Sequence, residues 1–291
     1  MIKITVPATS ANLGPGFDCL GIALNLYNTF YFEKTEDDFV YINMPEKYCN
    51  KNNLIVRSSI ETYKYLNIDP IYYSISNESD VPIARGLGSS ATCIAAGILA
   101  AVKYSGKDVS IGEMISIASK IEGHPDNTTP ALIGGLVSCV NSKEVLYNKY
   151  LVDNSLRFTV VIPPFKLSTN EARGVLPKTL GYEDIVYSMS RAINIPKALE
   201  EGNLEMLYYL LRDKLHQPYR FDLIKGSKKY LNFSKKNKLP FCISGSGSTM
   251  LFISKESIVE KLEKINDNYT VIELKVDNGG AKVEEWFFNC S

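Results

Sequence analysis

The spacing of hydrophobic positions changes period several times along the chain, and those changes predict its elements. Residues 3–6, 25–32 and 39–42 are dense in β-branched and aromatic side chains and read as strands, and 53–65 reads as a helix. Residues 71–75 return to strand, 79–88 make a loop, and 89–104 and 110–122 carry the spacing of two consecutive helices. Residues 134–140 and 145–151 then close a hairpin. After a polar break at 153–155, a strand over 157–162 ends at Pro163 and Pro164, and 169–236 is mostly helical. Within that region Leu204, Leu207, Tyr208, Leu211 and Leu215 recur at helical spacing and read as core, with Pro196 and Gly202 interrupting the pattern before them. Residues 241–243 and 249–253 read as strands around a Gly/Ser turn, followed by a helix to 265 and a strand near 270–276. The break predicts two lobes, 1–155 and 156–291.

Composition fits that division, since 291 residues at 45% hydrophobic content suffice for two cores. Lys plus Arg equals Asp plus Glu at 32 each, so no net field draws the chain to nucleic acid or an acidic membrane, and any bound anion must be met by local groups. Residues 1–8 alternate like a strand and lack the pattern of an export signal. The most apolar stretch, 91–102, is shorter than the roughly 20 residues a bilayer span needs. Six cysteines (Cys19, Cys49, Cys93, Cys139, Cys242 and Cys290) form no CxxC pair and have no histidine at metal spacing. They read as reduced thiols of a cytoplasmic protein.

Candidate chemistry gathers in three glycine-rich segments and one helix end. Residues 82–92, PIARGLGSSAT, run from a glycine loop straight into an apolar helix. Such a junction suits a phosphate, because glycines admit the anion to the backbone and the first helical N–H groups lack internal partners. It is neither a Walker A loop nor a GxGxxG fingerprint, and an ordinary serine-capped turn remains open. Residues 7–21, PATSANLGPGFDCLG, form a polar link after the first strand, and 244–249, SGSGST, lie between two strands; each is also compatible with a simple turn. Ile111, Met114, Ile115 and Ala118 place Glu122 on the same apolar stripe, at a helix C-terminus where a buried anion needs a cation or several donors. Mg²⁺ bridging to nucleotide phosphates meets that need, and a frayed, solvated helix end is the alternative. His124 follows in GHPDN without a nucleophile or second metal ligand beside it.

Taken together and in order, these segments resemble the GHMP kinase superfamily over essentially the whole chain, and within it the homoserine kinase branch. Residues 82–92 are similar to the superfamily's PxxxGLGSSA loop and 244–249 to its SGSGPT motif; 7–21, EGHPDN at 122–127 and STNEARGVLP at 168–177 are those of the branch. Thr92 and Ser248 depart from it, replacing Ala and Pro. The resemblance implies an α+β fold of two lobes, the first like ribosomal protein S5 domain 2 and the second ferredoxin-like. It implies ATP and L-homoserine as partners, phosphorylation of the homoserine hydroxyl on the route to threonine, and a possible homodimer. ATP is expected on Pro82, Ile83, Ala84, Arg85, Gly86, Leu87, Gly88, Ser89, Ser90, Ala91 and Thr92, with Asn53 near adenine and Mg²⁺ on Ser89, Ser90 and Glu122. In the same pattern Asp18 meets the substrate ammonium, Arg173 and Arg220 its carboxylate, and Asn12, His124, Asn127 and Thr169 complete the pocket. Asn127, Glu122 and Arg173 are the expected catalytic residues, with direct attack by an oriented hydroxyl. A mevalonate-type kinase and a non-catalytic ligand sensor are the alternatives.

Overall fold

The computed structural model describes residues 1–285. Alternating burial carries β1 (Ile2–Ala11) and the long β2 (Leu20–Lys34) into an antiparallel pair, with Ile2, Ile4, Val6, Phe30 and Phe32 turned to the core. The register shifts between Pro7 and Ala8, a bulge after which residues 8–11 go on pairing with 21–24 at the start of the first glycine-rich segment. After β3 (Val40–Tyr41) and α1 (Leu54–Leu66), β4 (Tyr73–Ser79) pairs with β2 on one side and β3 on the other. Then come α2 (Ser89–Ser105), α3 (Ile111–Glu122) and α4 (Thr128–Ile133), and the hairpin β5 (Leu136–Val140) and β6 (Leu146–Tyr150), which joins the sheet through β2.

The central helix α2 is apolar nearly all round and rich in small residues, so its neighbours approach closely. A Cβ on Gly97 would stand 2.3 Å from the Ile55 carbonyl oxygen of α1, and the Ser59 hydroxyl donates to the Gly97 carbonyl at 2.9 Å. Left-handed Gly88 and Gly106 bound α2, and a Ser110–Glu113 capping box starts α3.

The second sheet, ordered β10-β7-β9-β8, is antiparallel: β7 (Arg157–Ile162), β8 (Phe241–Ile243), β9 (Met250–Ser254) and β10 (Thr270–Leu274). Between β7 and β8 lie α5 (Thr169–Gly174), α6 (Tyr182–Ala192), α7 (Ile195–Glu200), α8 (Leu204–Leu210), α9 (Gln217–Arg220) and α10 (Ser227–Asn237), and α11 (Val259–Glu263) precedes β10. Phe158, Val160 and Leu251 of this sheet share a core cluster with Ala8, Leu13 and Ile22 of the first lobe. The two lobes therefore close on a common apolar layer, and the cleft opens at its edge.

The α+β, two-lobed architecture is the one anticipated, and the chain passes between the two sheets from Tyr150 to Arg157. The second lobe does not keep everything after residue 155, however, because β11 (Lys282–Glu285) returns to pair with β1. Three local expectations change. Leu215 lies beyond the end of α8 while Leu207 and Leu211 are buried, so the stripe is shorter. Ile111 is 38% exposed, so the buried face of α3 begins later. The helix α4 was not anticipated. Cys19, Cys49, Cys93, Cys139 and Cys242 are free thiols, and Cys290 lies outside the described residues. No helix among the described residues is long and apolar enough to cross a membrane.

Candidate active site

The three glycine-rich segments meet at one point. Gly86 (φ +82°) runs so close to the 244–249 turn that a Cβ would stand 2.2 Å from the Ser244 carbonyl oxygen. The Ser244 hydroxyl donates to the Gly86 carbonyl at 2.6 Å and lies 2.8 Å from the Ser10 hydroxyl. Backbone bonds from Thr249 N to Arg85 O (2.9 Å), Gly245 N to Ala11 O (3.1 Å) and Thr9 N to Leu87 O (3.2 Å) close the junction.

From this junction α2 points its free N-terminal amides into a cleft of about 700 Å³. Ile83, Ala84, Arg85, Gly86, Gly88, Ser89 and Ser90 line it. Pro82, Leu87, Ala91 and Thr92 do not: Leu87 and Ala91 belong to the core, and Thr92 accepts from Asn28 and donates to the Ser89 carbonyl, both at 2.8 Å. The side chains of Leu87, Ala91 and Thr92 thus support the loop, while the backbone amide of Ala91 remains among the free N–H groups at the start of α2. Glu122 is half-buried at the end of α3 and accepts from the Ser90 hydroxyl at 2.7 Å. Its oxygen and the two serine hydroxyls are hard donors of the kind Mg²⁺ takes alongside phosphate and water.

At one end of the cleft stand Asn43, Met44, Pro45, Tyr48, Asn77 and Ser79, none of them anticipated, in segments without a motif or apolar period. Asn53 also lines this end, but its amide caps α1: Oδ1 accepts from Ile55 N at 2.9 Å and Nδ2 donates to the Tyr48 carbonyl at 2.9 Å. Its Nδ2 also lies 3.2 Å from Met44 Sδ, so the side chain shapes the wall with both donors engaged and one Oδ1 lone pair left.

The other end is charged. Asp18, held at φ +56°, forms a two-pronged ion pair with Arg173 of α5, at 2.7 and 3.1 Å. Arg220 of α9 is 1% exposed yet also lines the cleft, and its Nε donates to the Ala172 carbonyl at 3.0 Å. Burial, with Arg173 nearby, lowers its pKa to about 10, still a cation at neutral pH. His124 Nδ1 lies 2.6 Å from Asp126 Oδ1. Burial disfavours the imidazolium, but the Asp126 bond and charge, with Asp18 and Glu122, outweigh it and raise the pKa above 6.5. Asp126, buried and not anticipated as a site residue, was signalled only by its place two residues after His124. Asn127 Oδ1 accepts from Thr9 at 2.8 Å, and Thr169 opens α5 on the cleft wall. Asn12 is a brace: Nδ2 donates to the Gly245 carbonyl (2.8 Å) and Oδ1 accepts from Asp18 N (3.0 Å).

A helix-terminus anion cradle joined by one cleft to a small pocket of paired charges defines a two-lobed small-molecule phosphotransferase. The family models of the GHMP kinase N-terminal and C-terminal domains match residues 53–135 and 196–271. A homoserine kinase of Clostridium beijerinckii is 41% identical over 98% of this chain and 99% of its own length, and one of Clostridium botulinum strain Okra is 38% identical over 97% and 98%. The crystal structure of homoserine kinase from Cytophaga hutchinsonii superposes with a TM-score of 0.87 over 97% of both chains at 24% identity, which bears on the fold. The chain belongs to the GHMP kinases and, within them, to the homoserine kinase family.

Proposed function

We propose that this chain transfers the γ-phosphoryl group of ATP to the side-chain hydroxyl of L-homoserine, giving O-phospho-L-homoserine for threonine biosynthesis. One observation carries the reading: an anion, Asp18, and two guanidinium groups, Arg173 and Arg220, stand in the same cleft as the α2 terminus. A substrate that is both ammonium and carboxylate matches that set. Mevalonate, an acid without an amine, leaves Asp18 facing it unpaired, which disfavours the mevalonate-type alternative.

In this reading the triphosphate lies along Gly86, Gly88, Ser89 and Ser90, and Ser89, Ser90 and Glu122 hold Mg²⁺, which when bound offsets phosphate charge. His124, Asn127 and Thr169 border the reacting hydroxyl. Asn127 Nδ2 has no partner among the described residues and is free to fix the hydroxyl oxygen for in-line attack. An amide takes no proton, so the new P–O bond forms as the bond to ADP breaks and the proton leaves to phosphate or water. Arg173 and Glu122 act by position and charge.

The test is mass detection of phosphohomoserine from purified protein, ATP, Mg²⁺ and homoserine, beside a panel of alcohols including mevalonate. Nucleotide binding without turnover of any alcohol would favour the sensor reading instead. A cytoplasmic, homodimeric enzyme completes the proposal. Supporting the dimer, α6 turns Asp184 and Ser188 toward the body and exposes Tyr182, Val186 and Met189, with Ile193 exposed just after it. Sedimentation of Met189→Glu as a monomer, against a dimeric parent, is the expected result.

A further inference from the structure

Two residues that do not line the cleft stand directly behind its cations. The Phe17 ring centroid is 5.4 Å from the Arg173 guanidinium carbon and 5.2 Å from that of Arg220. The His216 ring lies 5.2 Å from Phe17, tilted by 36°. His216 Nδ1 is 3.0 Å from Arg220 Nη1, and its Nε2 is 2.7 Å from the Gly14 carbonyl oxygen. Arginine offers only donors, so Nδ1 is the acceptor and Nε2 carries the proton given to Gly14. A single neutral tautomer therefore ties α9 to the 7–21 loop that carries Phe17.

Two guanidinium groups against one ring repel each other, and the bond from Arg220 Nε to the Ala172 carbonyl ties α9 to α5 without offsetting that repulsion. We infer that Phe17 and His216 form a shelf that holds Arg173 and Arg220 side by side as a preformed carboxylate receptor, making both positioning residues for substrate selection. The electron-rich face of Phe17 favours both cations, and the His216 lone pair fixes the direction of Arg220. Asp18 then serves as the internal counter-ion. An α-amino acid enters by exchange, its carboxylate taking Asp18's place on Arg173 while its ammonium takes Arg173's place on Asp18. A ligand with a carboxylate alone strands Asp18, and one with an amine alone strands both arginines, so selection for a zwitterion is built into the resting pair.

This inference rests on the proposed substrate, and the test separates the two. Parent enzyme, Phe17→pentafluorophenylalanine, His216→Leu and His216→Gln are assayed with homoserine and with 3-aminopropan-1-ol, which is homoserine without its carboxylate. Fluorination reverses the ring's charge distribution at nearly constant shape, so this variant decides the matter even where His216→Leu fails to fold. The fluorinated and Leu variants are expected to raise the homoserine KM about tenfold, with kcat, the ATP KM and kcat/KM for the amine changed less than about threefold. His216→Gln, which keeps an acceptor and a donor, is expected to recover most of the loss. Equal losses on both alcohols, or an unchanged homoserine KM in the fluorinated enzyme, overturn the shelf. A parent that does not phosphorylate homoserine overturns the substrate instead. Where the amine turns over too slowly to measure, the split between KM and kcat decides.

Discussion

Replacing Gly86 by alanine tests whether the phosphate loop is built by contact between distant segments. Two costs act there. Gly86 has φ +82°, and an L-residue in the left-handed region gives up roughly 1–2 kcal/mol. The new Cβ would also stand 2.2 Å from the Ser244 carbonyl oxygen and 2.8 Å from that of Gly247, both backbone atoms with no rotamer to yield. Forcing such a contact open costs a further 1–3 kcal/mol or so. Together they come to about 3 kcal/mol, which for a chain of this size lowers Tm by roughly 6–12 °C. The junction relaxes by parting the loop from the 244–249 turn, which shifts the amides at the start of α2, so the ATP KM is expected to rise at least about tenfold. Gly106→Ala is the matched control. It is also left-handed, at φ +66°, but nothing lies within 4 Å of its Cβ, so only the strain remains and ATP binding is untouched. Thermal unfolding by circular dichroism and coupled ADP release measure both quantities. If Gly86→Ala is no more damaging than Gly106→Ala in either, the convergence of the glycine segments does not shape the site.

Glu122→Gln, measured against Mg²⁺ concentration, is expected to lower kcat/KM by about a hundredfold and raise the Mg²⁺ requirement; an unchanged requirement removes Glu122 from the metal site. Arg173→Ala is expected to raise the homoserine KM by roughly a hundredfold with a smaller change in the ATP KM, since it removes a two-pronged charged contact and leaves Asp18 unpaired. The two histidines, the only ones in the chain, should titrate apart in NMR spectra, His124 above 6.5 and His216 near 4. Burial of His216, with Arg220 adding and Asp213 opposing, lowers its pKa to about 4. The unfolded chain takes up that proton first, so its contribution, about 3 kcal/mol, is complete above 6.5 and lost as pH falls toward 4, and denaturant midpoints should drop over that window. His124 acts in the opposite sense: its pKa is raised, so its contribution is complete below 6.5 and lost as pH rises through the folded value.

The sheet-forming segments were legible because alternation is a local property; the strand at 157–162 is found with the bounds its residues predict. The helix α4 was not, because Thr-Thr-Pro-Ala carries no apolar period and its burial comes from packing against α2 and α3. The strand β11 reads as a charged tail, and only the free edge of β1, nearly the whole chain away, makes it a strand. Glu122 was readable from the helical stripe, although its environment is a half-buried cleft wall shared with Ser90 rather than a sealed interior.

The glycine segments show why a site is harder to read than a fold. Each is ambiguous by itself, and the contacts that decide among the readings join residues 158 and 233 positions apart. Those contacts also sort the polar residues. Asn12, Asn53 and Thr92 all lie in segments that look poised for a ligand, and their side chains are engaged in bracing Asp18, capping α1 and holding Asn28. A buried backbone must be satisfied before a ligand is served, so polar density in a sequence marks where loops meet, and the groups available for binding are those left over. Here the remainder includes the N-terminus of α2, the Ser90–Glu122 pair, one amide nitrogen of Asn127, the cleft-lining Arg220, and the ions Asp18 and Arg173, which hold each other. In the proposed function these groups serve as anion cradle, hard-cation site and zwitterion receptor in one cleft, which is what phosphoryl transfer to a hydroxy amino acid requires, and that reading depends on subtracting the braces first.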